Sequence, residues 1–186
     1  MHKVLLGARG ALGWGTMNGQ TMLIAYDGSE RADRAIEYAA QLLRPGIVEI
    51  LTAWEPAARQ AARALGRTGL HQSTYALDDA AQEEDPAYEE AMAMCRRGVA
   101  VAERLGLAGR AHLVEVVTTT AEALADAAEE LDVDVIVTGT RALTGFKAWW
   151  NASTADQLVR TAGRPVLVVP PGPDDPNDAN YTDTAE

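Results

Sequence analysis

The stretch MLIAYDGSERADRAIEYAAQLLRPGIVEILTAW, residues 22–54, holds a short apolar run, a longer helical period and a second apolar run. MLIAY, 22–26, carries no charge, and after Asp27-Gly28 the hydroxyl of Ser29 is placed to cap a helix. Ala32, Ala35, Ile36, Ala39, Leu42 and Leu43 then fall on one helical face, and Pro45-Gly46 ends the pattern. IVEILTAW, 47–54, has the β-branched and apolar content of a strand buried on both sides. A strand that returns through a helix to a second strand predicts a parallel sheet wrapped by helices.

The same alternation continues outward. HLVEVV, 112–117, reads as the third strand, and Thr119-x-x-Glu122 as a capping box for a helix that buries Ala123, Leu124, Ala127 and Leu131. VDVIVTG, 133–139, is the fourth strand. A helix from about Ala155 to Ala162 ends at Gly163, and RPVLVVP, 164–170, supplies the fifth. Ahead of the third strand, Asp85-Pro86 opens a helix to about Leu105 that turns Met92, Cys95, Val99 and Ala102 inward. Residues 55–83 break the rhythm, with alanines followed by GRTGLHQST and an acidic stretch, and read as a long insertion or lid. The expectation is one α/β domain over 22–171, a single doubly wound five-stranded sheet. It is flanked by a mobile extension, 1–21, and a disordered acidic tail, 172–186, both poor in periodic apolar residues.

The 27 acidic residues against 16 basic ones give a net charge of -11, which repels a phosphate backbone and argues against a nucleic-acid partner. The N-terminal MHKVLLGARGALGWG has an apolar run too short for a signal peptide, and no later run approaches a membrane span. With one cysteine, Cys95, no internal disulfide forms, and a cytoplasmic protein is expected. His2, His71 and His112 have no partner at metal-ligand spacing, and no catalytic constellation emerges; His112 reads as a structural residue at the start of a strand.

In an open parallel sheet ligands bind beyond the C-terminal ends of the strands, which here directs attention to Asp27, Ala53-Trp54, Val117-Thr118 and Gly139. Asp27 either accepts hydrogen bonds from a ribose or an adenine amine, or closes an Asx-turn over Gly28-Ser29.

AYDGSE after the first strand, VDVIVTGTRA at the fourth, the Ser-Thr pair opening the last helix and RPVLVVP at the end resemble the universal stress protein family over residues 22–171. The resemblance implies the strand order 3-2-1-4-5, with helices on both faces, which sets Asp27 and Gly139 on one crevice. It also implies a phosphate-wrapping motif of glycine, two residues, glycine, nine residues, glycine and a hydroxyl. Laid on this chain, the motif falls on Gly139, Ala142, Ala152 and Ser153, so two of its three glycines are alanines. A second hydroxyl is expected where Ala155 stands, with Thr154 displaced by one. An alanine forced into the left-handed region costs about 1–2 kcal/mol, and its methyl group narrows a cradle that glycine leaves open. Ser153 and Thr154 are also explained as helix caps, Arg141 and Lys147 either neutralise phosphate or are solvated charges, and Trp149 and Trp150 read as groups packing the loop or meeting a protein partner.

The resemblance ranks three functions. First comes a regulatory stress-response module with weak or lost adenine-nucleotide binding. A competent binder of ATP with magnesium is second. An enzyme related to adenine-nucleotide hydrolases is third, because AYDGSERA offers only Gly28 where those need a glycine-rich phosphate loop. It further implies a homodimer through the edge strand at 164–170.

Overall fold

The computed structural model describes residues 20–43, 45–66, 85–139 and 154–170. Strands β1 (Thr21–Ala25), β2 (Ile47–Trp54), β3 (Gly109–Glu115), β4 (Val135–Gly139) and β5 (Val166–Val169) form one sheet in the order β3-β2-β1-β4-β5, with every neighbouring pair parallel. Helices α1 (Glu30–Leu42), α2 (Ala57–Gly66), α3 (Pro86–Arg104), α4 (Thr120–Glu130) and α5 (Thr154–Thr161) fall between them.

Successive strand residues point to opposite faces, and here both faces are covered. Met22, Ile24, Val48, Ile50 and Val137 meet α1 and α3 through Ala35, Ile36, Ala39 and Cys95. Leu23, Leu51, Val114 and Ile136 meet α4 and α5 through Ala123, Leu124, Ala127 and Leu158. The sheet is therefore doubly wound, as its pattern required. Met22, Leu23 and Ile24 are fully buried, each contributing about 1.5–3 kcal/mol, so the central strand anchors both layers.

Local signals fix the helix starts. The Ser29 hydroxyl accepts Ala32 N–H at 3.2 Å at the head of α1, and Asp85 caps α3 ahead of Pro86 at the first helical position. Thr119 accepts Glu122 N–H at 3.2 Å, but the Glu122 carboxylate takes the Thr118 hydroxyl rather than the Thr119 N–H, so only half of the expected capping box forms.

Several boundaries differ from the sequence reading. β1 begins at Thr21, whose N–H donates to Asp134 at 2.7 Å, and Gln20 accepts Gly46 N–H at 3.0 Å, so residues 20 and 21 belong to the folded domain. β3 starts at Gly109 and ends at Glu115, because it pairs along β2 from Val48 to Trp54. β5 is four residues, Val166–Val169. The inward face of α3 is Ala91, Cys95, Gly98 and Ala102; Met92 and Val99 flank it half-buried, because small residues let the helix lie close on the sheet. The insertion contains a helix, α2, in its first part, while 67–84, 1–19 and the tail lie outside the described residues.

His112 lies in the middle of β3, not at its start, and is buried beside Glu49 of β2, with Nε2 2.7 Å from the carboxylate. Arg110 holds the other Glu49 oxygen at 3.3 Å. A buried carboxylate requires such partners, which gives Glu49 and His112 a structural role. Cys95 is buried too, against the carbonyls of Ile50 and His112, and burial pushes its thiol up from the usual range, as befits an unreactive cysteine.

Candidate functional site

Parallel strands end together. Ala25 is level with Leu51 and Thr138, which sets Asp27 just past β1, Ala53 near the end of β2 and Gly139 at the end of β4 on one rim of the sheet. The strand order reverses between β1 and β4, and this is the rim at which doubly wound sheets hold their ligands.

Asp27 is exposed and held in one orientation. Its Oδ1 accepts the Ser29 N–H at 3.1 Å and the Ser29 hydroxyl at 2.5 Å, and that same hydroxyl caps α1. The Asx-turn forms through one carboxylate oxygen, and Oδ2 has no partner among the described residues. Gly28 permits the turn with φ +74°, and a Cβ there would collide with the Arg97 guanidinium of α3, which donates to the Gly28 carbonyl at 3.4 Å.

Beneath the turn, the Tyr26 carbonyl accepts the Thr52 hydroxyl at 3.0 Å, and the Tyr26 hydroxyl donates to Asp33 of α1 at 2.7 Å. Burial, reinforced by the Asp33 carboxylate, pushes the Tyr26 phenol up to about 12, against a smaller opposing pull from Arg97. The turn is thus tied to β2, α1 and α3 at once.

Gly139 meets a different neighbour. A Cβ there would stand 3.1 Å from the Arg31 carbonyl oxygen and 3.3 Å from the Arg31 carbonyl carbon, so the first turn of α1 fills the space a side chain would take. Its φ is not positive, so close packing rather than backbone conformation calls for glycine. Thr154 opens α5, half-buried, with Asp156 in the first turn and paired to Arg160 at 3.2 Å. Arg141, Ala142, Ala152 and Ser153 lie outside the described residues, as do Lys147, Trp149 and Trp150.

Arg97, Arg59 and Asp85 escape a reading by local pattern. Arg97 acts on a turn 69 residues earlier, and Asp85, legible as a cap for α3, also binds Ala57 N–H, 28 residues earlier. Among the described residues no group of histidine, cysteine and carboxylate side chains is placed to hold a metal, and no helix is long and apolar enough to cross a membrane.

The Burkholderia pseudomallei protein of the universal stress protein family is similar in structure, with TM-score 0.56 and 26% identity over 82% of this chain and 96% of its own. An Archaeoglobus fulgidus universal stress protein in complex with dAMP shares the fold, with TM-score 0.53 and 21% identity over 82% of this chain and 98% of its own. An Arabidopsis thaliana universal stress protein family protein with AMP bound does so with TM-score 0.56 and 13% identity over 83% of this chain and 94% of its own. No curated protein sequence matches the chain. The family profile described as "Universal stress protein family" matches residues 19–170, which takes in all five strands and both sides of the Asp27–Gly139 rim, and the chain belongs to that family.

Proposed function

We propose that this protein is a cytoplasmic, non-enzymatic regulatory module whose crevice takes an adenine nucleotide with weakened affinity. The observation that carries this reading is the Asp27 carboxylate, fixed by Ser29 through one oxygen and open through the other at the crevice rim. An oriented acceptor with a spare lone pair suits a ribose hydroxyl or an adenine amine. The dAMP and AMP held by two relatives of the same fold support adenosine phosphates as the ligand class.

The weakness belongs to the phosphate side. Ala142 and Ala152 stand where the family motif has glycine, and the glycine that is kept, Gly139, faces the Arg31 backbone. What the described residues offer phosphates is the Thr154 hydroxyl and the first turn of α5. With no carboxylate cluster among the described residues, a magnesium ion would arrive with the phosphates of ATP. The same reading pairs β5 edge to edge with a second copy, since among the described residues β5 has a strand neighbour on one side only.

Mass spectrometry of small molecules released from purified, denatured protein tests the reading, together with calorimetric titration of AMP and of ATP with magnesium. Sub-stoichiometric nucleotide and weak titration are expected. Stoichiometric ATP, or tight titration, would establish a competent ATP-binding protein instead, and a complete absence of binding at millimolar ligand would remove the nucleotide from its function.

A further inference from the structure

The excursion between β2 and α3 is buttoned at its neck by one side chain. Asp85 is buried, and it accepts Ala87 N–H on Oδ1 and Ala57 N–H on Oδ2, each at 2.9 Å. A single carboxylate therefore caps α2 and α3 together, satisfying an orphan donor of each and facing the positive end of both helix dipoles. A second fastening lies two residues into α2. Arg59 donates to the Val116 carbonyl just past β3 at 2.7 Å and pairs with Glu115 at the end of β3 at 2.8 Å.

Apart from these fastenings α2 buries little. Ala58, Gln60, Ala61, Arg63 and Ala64 are exposed, whereas α1 sinks Ala32, Ala35, Ile36 and Ala39 into the core. Arg63 pairs with Glu55 at 3.1 Å and Gln60 donates to the Glu55 carbonyl at 2.7 Å, both to the residue that follows β2. A helix held by polar contacts, with scant apolar burial, belongs to the part of a fold that opens locally before the rest. Its position gives that opening a consequence. α2 begins three residues past Trp54, and its Arg59 reaches the end of β3, so it stands at the same end of the sheet as Asp27 and Gly139.

We propose that α2 is a latched flap, pinned by Asp85 and by the Arg59–Glu115 pair, whose opening sets the rate at which an adenine nucleotide enters and leaves the crevice. The second half of this proposal rests on the nucleotide reading above. Two measurements on the full chain separate the halves. Hydrogen exchange should find residues 57–66 opening independently of α3, and Arg59→Met should raise their exchange about tenfold while leaving α3 and the melting temperature nearly unchanged. Asp85→Asn, which strips a cap from both helices, should raise exchange in α2 and at the start of α3 together. If Arg59→Met leaves 57–66 as protected as in the wild type, or loosens α3 equally, there is no latch. Stopped-flow binding of a fluorescent AMP analogue should then show Arg59→Met speeding both association and dissociation several-fold. Unchanged rates with faster exchange would overturn gating while nucleotide binding stands. If neither protein binds the analogue, the nucleotide reading and the gating fall together, and exchange alone decides the latch.

Discussion

The Arg31 backbone of α1 lies against Gly139 so closely that a methyl group there would approach its carbonyl oxygen to 3.1 Å. The helix that follows β1 thus packs directly on the end of β4, and a side chain there would require the α1 backbone to shift by a few tenths of an ångström.

Gly139→Ala should accordingly destabilise the ligand-free protein. Overpacking against backbone that has to shift costs about 1–3 kcal/mol, or very roughly 5 °C in Tm for a chain of this size. Thermal melts without nucleotide decide the point. An unchanged Tm would mean that the α1 contact yields freely and that glycine serves the crevice instead.

Ala142→Gly with Ala152→Gly restores two positions of the family's phosphate motif. If the methyl groups obstruct the cradle, the double variant should bind ATP with magnesium at least tenfold more tightly than the wild type, or roughly 1.4 kcal/mol, by calorimetric titration. No gain would place the obstruction elsewhere in the loop, with Trp149 and Trp150 the first residues to replace.

Tyr26 predicts a pH dependence with a defined sign. Its phenol titrates near 12 in the folded state against 10.0 for the free group, with burial the first cause and Asp33 the second. The unfolded chain therefore loses this proton first, so the stabilisation is complete below about pH 10 and declines as pH rises toward 12. One of the five tyrosines should show a late phenolate transition in a spectrophotometric titration. Urea unfolding should weaken between pH 10 and 12, and Tyr26→Phe should abolish both signals. A full complement of tyrosines titrating near 10 would refute the assignment.

β5 should mediate a homodimer. Among the described residues it is an edge of the sheet, and Val166, Leu167 and Val168 remain half-exposed there. Light scattering at micromolar concentration should report twice the chain mass, and Val168→Lys should shift the equilibrium to monomer. A wild-type monomer across salt concentrations would end this proposal.

What the sequence determined by itself is everything governed by neighbours along the chain. Alternating apolar runs and helical periods gave five strands, their parallel sense and two covered faces, and Ser29, Asp85-Pro86 and Thr119 marked helix starts as the backbone needs them. The Asx-turn at Asp27 was legible for the same reason, because its partner is two residues away. Tertiary structure decided the rest, since each deciding contact joins residues whose separation leaves no periodic trace. Arg97 roofs Gly28 from 69 residues off, Glu49 meets His112 across 63, and Asp85 reaches back 28 to button α2. The register of β3 on β2 moved His112 from the start of a strand into its middle and made it the partner of a buried carboxylate. Gly139 shows the difference most plainly: a motif read along the chain marks it for phosphate, and only the three-dimensional packing adds that its bare Cα also lies close against the Arg31 backbone of α1.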